Sequence, residues 1–235
     1  MLVPRYSVAL NAGHCFEQGA NRGPTTYEEA VGNLRVARSA QYYLTQAGVS
    51  VELTRWTSGG LYTKTPWSMT GEIEARLMKV LLYDPTVYVE IHSDAAVDPT
   101  AHGTTVYLAE GWKDSSLKLG SDVLYALTYN LSTASRGVRT SNNYSLLKKV
   151  QEAGIPSILV ESMFHTNHAE ERRLLTDEGT DAIGRAIAVG VFKYLGTKQW
   201  PAVLWTPQAL YQKLEETKST LTKLVGGLMI FGPPA

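Results

Sequence analysis

Residues 154–161 read Gly-Ile-Pro-Ser-Ile-Leu-Val-Glu, and this stretch decides the fold class. Its turn-forming Gly and Pro precede a short apolar run at 157–160, which predicts a buried strand. The run is apolar enough for the centre of a sheet. It ends on Glu161, and a carboxylate at the buried end of a strand must be paired, bound to a metal or protonated. Glu161 is therefore the first candidate for a functional residue.

Strands and helices alternate along the rest of the chain. Short apolar runs predict further strands at 6–10, 49–54, 87–92, 103–108 and near Val138. Helical spacing of apolar residues predicts helices at 26–47, 68–83, 115–131, 168–175 and 177–195. This alternation predicts a three-layer α/β/α sandwich around a mostly parallel, mixed sheet of about six strands. The hairpin-like closeness of the third and fourth strands suggests at least one antiparallel edge.

The last forty residues differ from the rest. We predict that residues 1–196 form one domain and that 197–235 are a linker followed by a C-terminal amphipathic helix. Apolar residues at alternating steps of four and three show the a/d spacing of a coiled coil: Leu210, Leu214, Thr217, Leu221, Leu224 and Leu228. Two hypotheses stay open for this helix. It docks on the main domain, or it joins copies of the chain into a homo-oligomer through residues 206–228.

Composition excludes several classes of function. The 235 residues include 22 Lys and Arg and 22 Asp and Glu, so no net charge favours nucleic acid as a partner. No apolar run reaches the ~18–20 residues of a membrane span. The first ten residues lack a basic segment followed by a long apolar one, so we predict synthesis in the cytoplasm without a signal peptide. The single cysteine, Cys15, excludes an internal disulfide.

Three more polar residues stand where predicted strands end or a helix begins. His14 follows Gly13 just past the first strand, at the edge of an α/β sheet where ligands bind. His92 ends the strand at 87–92, and Glu29 lies near the start of the first helix. Catalytic zinc sites commonly take three N or O ligands from separate segments and leave a fourth position for water. Glu161 could then handle the protons.

Glu29 has an alternative structural explanation. Thr26 and Glu29 fit a capping box, in which the glutamate bonds back to the backbone at the start of the helix. Thr25 and Glu28 fit the same box shifted by one residue, and that register leaves Glu29 free. We favour Glu28 for the cap.

Strand alternation places Glu90 on the same face as His92. Glu90 could accept a hydrogen bond from a ligand imidazole, or it could pair with a nearby lysine or arginine. Both interpretations stay open.

The remaining histidines and the cysteine carry weaker signals. His165 lies four residues past Glu161 and could line the same site. Like His102 and His168, it is otherwise expected to be exposed or to make a local hydrogen bond. Cys15 lacks an evident base beside it and is expected to be a small buried hydrophobic residue.

Several short motifs follow one another in order between about residues 5 and 195. They are Asn-Ala-Gly-His at 11–14 followed by Glu29, Val-Glu-Leu-Thr-Arg at 51–55, Glu-Ile-His-Ser-Asp-Ala at 90–95, Gly-Thr-Thr-Val-Tyr at 103–107, Arg-Gly-Val at 136–138 and Ile-Pro-Ser-Ile-Leu-Val-Glu-Ser-Met-Phe-His-Thr-Asn at 155–167. This ordered set resembles the zinc-dependent N-acetylmuramoyl-L-alanine amidases of the type 3 family. The chain departs from that family at Ser93, Asp94 and Thr105, where Ala, Asn and Glu are frequent.

The resemblance implies a function as well as a mixed-sheet α/β fold. It implies that His14, Glu29 and His92 bind Zn²⁺ and that Glu161 is the catalytic carboxylate. Residues 1–196 would be a catalytic domain that hydrolyses the amide between N-acetylmuramic acid and L-alanine in peptidoglycan. The expected setting is a phage endolysin or bacterial autolysin that acts on the cell wall after release. The alternatives are a zinc peptidase acting on the stem peptide and a non-catalytic wall-binding module.

Overall fold

The computed structural model describes residues 6–19 and 21–196. Within them lie six strands: β1 (Ser7–Ala12), β2 (Ser50–Leu53), β3 (Val87–Asp94), β4 (Thr104–Leu108), β5 (Ser135–Thr140) and β6 (Ser157–Phe164). The α-helices are α1 (Glu29–Gln46), α2 (Met69–Tyr83), α3 (Asp114–Leu131), α4 (Ser145–Glu152), α5 (His168–Leu175) and α6 (Asp177–Tyr194), with a 3-10 helix at Phe16–Gln18.

The six strands form one mixed sheet in the order β2-β1-β3-β6-β4-β5. The first four of these are parallel, β4 runs antiparallel to β6, and β5 is parallel to β4. The predicted mixed, mostly parallel sheet of about six strands is confirmed. The expected antiparallel edge is present, but β4 forms it with β6 and not with β3, because β6 lies between the third and fourth strands. All eight residues of β6 are buried, and a strand that apolar is most stable with a neighbour on each side.

Helices cover both faces of the sheet and complete the predicted α/β/α sandwich. On one face, α1 packs on β3, and Val89 and Ile91 of that strand share one apolar cluster with residues of α1, α3 and α6. On the other, α2 and α4 pack over Tyr88 of the same strand and Leu159 of β6. Strand alternation puts Glu90, His92 and Glu161 on this second face, beyond the apolar contacts.

The helix α4 was not predicted. Its eight residues are too few to show two clear turns of helical spacing, and they follow a polar, turn-rich stretch. In the structure, Leu146, Leu147 and Val150 are buried against the sheet, so tertiary packing accounts for this helix.

The start of α1 also differs from the prediction. Neither capping box forms, because Glu28 is the N-cap residue without a side-chain cap bond. Glu28 instead pairs with Arg22 at 2.8 Å, and Thr25 donates its hydroxyl to Glu171 at 2.9 Å. These partners, which lie outside α1, compete with the local cap and leave Glu29 free to turn into the sheet edge.

The predicted linker and C-terminal helix at 197–235, with the proposed oligomerisation segment 206–228, lie outside the described residues. Among the described helices, none combines the length and apolar content that crossing a bilayer requires.

Candidate metal centre

The side chains of His14, Glu29 and His92 meet at the carboxyl ends of β1 and β3. One donor atom from each lies within 4.8 Å of the other two. His14 Nε2 is 3.1 Å from Glu29 Oε2, and His92 Nδ1 is 3.1 Å from Glu29 Oε1. Donors bound tetrahedrally at ~2.0–2.2 Å from zinc would be about 3.4 Å apart. The structure therefore brings together the three residues that the sequence analysis proposed as ligands, at a spacing that suits a cation.

Two buried arginines hold the turn that carries His14. Arg55 donates to the carbonyls of Ala12 and Gly13 at 2.9 and 3.0 Å. Arg76 donates to the carbonyls of Ala12 and His14, both at 2.8 Å. His14 has φ of 59°, in the left-handed region that a non-glycine residue rarely occupies without support. The arginines supply that support, and the imidazole is thereby aimed at Glu29.

Gly13 is required by the approach of His92. A Cβ atom at position 13 would collide with the His92 imidazole ring. The rings of His92 and His14 meet edge to face, with their centres 4.8 Å apart. A side chain at Gly13 would therefore displace one of the two proposed ligands.

Glu29 reaches the site from the first turn of α1. Its Oε1 accepts hydrogen bonds from Asn33 Nδ2 at 3.2 Å and from the backbone N–H of Ser93 at 3.1 Å. Burial by itself raises the pKa of Glu29, but the contacts with His14 and His92 outweigh it and hold the pKa well below its usual value. Glu29 is therefore an ionised, rigidly placed carboxylate.

His92 lies between two carboxylates. Its Nδ1 faces Glu29, and its Nε2 is 3.3 Å from Glu90 Oε1. Burial lowers the pKa of His92, but the contacts with Glu29 and Glu90 prevail and raise it to about 10. Such surroundings favour a positive charge at this point in the site.

Glu161 faces the same space from β6, where it is in register with His92 on β3. Burial raises the pKa of Glu161 well above its usual value; His92 opposes that rise, and Glu29 and Asp94 add to it. The Tyr144 hydroxyl lies 3.5 Å from Glu161 Oε1. Glu161 Oε2 is buried and has no partner among the described residues. Such a group can accept a proton from a reactant held beside it.

The donor set suits a zinc ion. Two imidazoles and one carboxylate are typical ligands of catalytic zinc. Glu161 Oε2 is buried without a hydrogen-bond partner in the described part of the chain, and such an atom calls for an explanation such as an ion or water. A cation with its water would relieve the repulsion among the carboxylates.

A cavity of about 490 Å³ opens onto this cluster. Its lining includes all four proposed site residues and also His165, for which the sequence analysis gave this place only as an alternative to exposure. His165 is buried, with Nδ1 3.0 Å from the carbonyl oxygen of Ser93. His102 and His168 are exposed and lie outside the cavity lining. Cys15 is buried, and burial raises the pKa of its thiol, as expected for an unreactive residue.

Two contributors to the site were not singled out from the sequence. Arg76 is buried on α2, with its Nε 2.7 Å from Glu72. The sequence feature that could have identified Arg76 was its charged i, i+4 pair with Glu72, on the helix face that also carries Val80. Tyr144 lies at the start of α4, and the sequence offered no signal for it because that helix was not predicted.

Comparison with known proteins connects this site to one family. The model of the N-acetylmuramoyl-L-alanine amidase family matches residues 8–193. The uncharacterized protein YqiI of Bacillus subtilis (strain 168) is 26% identical over 189 residues, which cover 80% of this chain and 84% of that protein. The amidase AmiC of Neisseria meningitidis serogroup B is 26% identical over 234 residues. That match covers 81% of this chain, which spans 53% of AmiC.

Solved structures share the fold. The CwlD amidase from Clostridioides difficile, solved in complex with the GerS lipoprotein, has a TM-score of 0.73 and 23% identity, covering 82% of this chain and 99% of that one. The catalytic domain of the CD27L endolysin has a TM-score of 0.65 and 16% identity, covering 80% and 98%.

Proposed function

The chain belongs to the N-acetylmuramoyl-L-alanine amidase family, and on this premise we propose that it cleaves its peptidoglycan substrate with a zinc ion held by His14, Glu29 and His92. One observation carries the proposal. The donor atoms of these residues converge within 4.8 Å, in a cavity that Glu161 also lines. The bond broken would be the amide between N-acetylmuramic acid and L-alanine.

Zinc, when bound, supplies Lewis acidity that polarises the scissile carbonyl and lowers the pKa of water towards ~7. Glu161 accepts a proton on Oε2 as a water oxygen bonds to the carbonyl carbon. It then returns that proton to the nitrogen as the carbon–nitrogen bond breaks. The products are the carboxyl group of muramic acid and a peptide with a new L-alanine amino terminus. Glu29 stays ionised throughout, held by Asn33 and Ser93.

Zinc content and product analysis test this function together. We expect close to one zinc per purified chain, and loss of that zinc in His92→Ala by elemental analysis. Muropeptides from digested cell walls should gain an L-alanine amino terminus. Fragments that keep L-alanine on muramic acid would instead indicate a zinc peptidase cutting the stem peptide. Dye-labelled walls that bind the protein without releasing dye would indicate a non-catalytic wall-binding module.

For the biological setting, we propose that the enzyme degrades the cell wall as a phage endolysin or bacterial autolysin. Family membership supports a wall substrate, and a cavity open to solvent can admit a polymer. Purified protein added to a suspension of permeabilised bacteria should lower its turbidity. A suspension that stays turbid, although the protein releases dye from purified walls, would argue against a lytic role.

A further inference from the structure

Glu90 is a buried carboxylate that the proposed reaction does not use. It lies on β3 two residues before His92, on the same face of the strand. Both of its oxygens have partners. Oε1 is 3.3 Å from His92 Nε2, and Oε2 accepts a hydrogen bond from the Tyr88 hydroxyl at 3.0 Å.

The structure favours one of the two roles that the sequence left open for Glu90. Within the described residues, its ion-pair contact is with His92 and not with a lysine or arginine. The guanidinium of Arg76, which reaches the same cavity, is taken by Glu72, Asn11 and two backbone carbonyls. Glu90 is therefore directed at the imidazole.

The two nitrogens of His92 have different surroundings. Nδ1 lies 3.1 Å from Glu29 Oε1, inside the proposed ligand cluster, whereas Nε2 points away from it to Glu90. An imidazole that binds a metal through one nitrogen carries a proton on the other. A carboxylate that accepts a hydrogen bond from this second N–H fixes the tautomer and the orientation of the ring. It also raises the basicity of the nitrogen that binds the metal.

We propose that Glu90 is a positioning residue that orients His92 for the metal. Its carboxylate accepts the Nε2–H bond, so that the Nδ1 lone pair is directed at the ion beside Glu29. Tyr88 holds Glu90 in turn, and this tyrosine is fully buried. Tyr88, Glu90 and His92, which alternate along β3, thus form one chain of hydrogen bonds that ends at the proposed metal position.

The position of β3 in the sheet makes this chain of hydrogen bonds rigid. The strand lies between β1 and β6, and Glu90 is in register with Asn11 on one side and Leu159 on the other. A carboxylate buried there is costly unless its charge is compensated. The imidazole N–H and the positive charge of the metal supply that compensation.

This inference rests on the proposed zinc site, so its test measures zinc affinity and not activity. Competition with a zinc-binding dye would be run on the full chain and on Glu90→Ala, Glu90→Gln and Tyr88→Phe. We expect Glu90→Ala to raise the zinc Kd by about 10- to 100-fold. Glu90→Gln should raise it less, because its amide oxygen can still accept the bond. Tyr88→Phe should have the smallest effect of the three.

Glu52→Gln is the matched control, since Glu52 is also a strand carboxylate but pairs with Lys79 at 2.8 Å, away from the site. Its zinc Kd should equal that of the unmodified chain. The melting temperature of each variant in chelator measures its effect on the fold alone. If Glu90→Ala does not fold, Glu90→Gln and Tyr88→Phe still decide the outcome.

A zinc Kd that none of the three variants changes, with or without a lower melting temperature in chelator, would overturn the role of Glu90 and leave the zinc enzyme standing. An unmodified chain that binds no zinc would overturn the proposed function and this inference together. The two failures are therefore distinguishable.

Discussion

At the scale of single residues, the oxygens of Glu161 have different surroundings. Oε1 is within reach of the Tyr144 hydroxyl, whereas Oε2 is buried without a partner among the described residues. The proposed reaction uses this difference, because one oxygen is anchored while the other exchanges a proton.

Replacing Glu161 with Gln should abolish proton transfer without removing a ligand. We expect Glu161→Gln to retain close to one zinc per chain and to lose at least ~10²–10⁴-fold in turnover. Dye release from purified walls and elemental analysis measure the two effects. Glu152→Gln, an exposed carboxylate on α4, is the control and should behave like the unmodified chain. Near-normal turnover of Glu161→Gln would refute the assignment.

The raised pKa of His92 predicts that zinc binding depends on pH. In metal-free protein, a pKa of about 10 leaves His92 protonated at pH 7, and zinc must displace that proton. The apparent zinc affinity should therefore rise by close to tenfold per pH unit between about pH 7 and 9. Calorimetry in buffers with different ionisation heats should show about one proton released.

The stability of the metal-free fold should depend on pH in the opposite direction. A pKa raised from 6.5 to about 10 contributes stability that is fully present below pH 6.5 and is lost as pH rises through 10. A zinc affinity that stays flat from pH 7 to 9 would contradict the protonated state of His92.

At the scale of elements, the site depends on the turn between β1 and the 3-10 helix. This turn projects His14 only because arginines from outside it bind its carbonyls. Arg76 comes from α2 and forms a buried pair with Glu72. A helix on one face of the sheet thus sets the geometry at the end of a strand.

Replacing Arg76 with Met should damage both stability and metal binding. Glu72 would be left buried without its partner, which costs about 3–5 kcal/mol in the free energy of unfolding. Urea unfolding measures that loss, and zinc competition should show weaker binding because the His14 carbonyl is released. Arg35→Met is the control. Its pair with Asp177 at 3.6 Å is exposed, so about 1 kcal/mol or less should be lost. Equal losses of stability in the two variants would argue against the proposed support of the turn by Arg76.

At the scale of the whole molecule, the described residues hold a complete six-stranded sheet with helices on both faces. The family model covers residues 8–193, nearly all of this region. We therefore propose that residues 1–196 act as the catalytic domain and that 197–235 add a separate property.

The oligomerisation hypothesis for residues 206–228 predicts a difference in mass. By sedimentation, the full chain should form a dimer or larger oligomer, and a chain ending near Leu195 should be a monomer with normal dye release. Two monomers of equal activity would contradict it. A lower melting temperature of the shorter chain would then favour docking of the helix on the domain.

The sequence by itself determined the layered architecture and the four proposed site residues. Apolar runs and helical spacing report which faces are buried, and these patterns are local. Strand ends and motif order placed His14, Glu29, His92 and Glu161 at one edge of the sheet. Parallel strand direction brings His14, His92 and Glu161 to that edge, and Glu29 joins them from the start of α1.

Only the tertiary structure decided which partners these residues meet. The position of β4 beside β6, the helix α4 and the pairing of Glu28 with Arg22 could not be predicted. The contact of Glu90 with His92 was one of two interpretations that the sequence left open. The physical reason is that a local pattern shows which residues are buried but not which residues they are buried against. Strand order, register and the support of the turn by Arg76 arise from contacts between segments far apart in the chain.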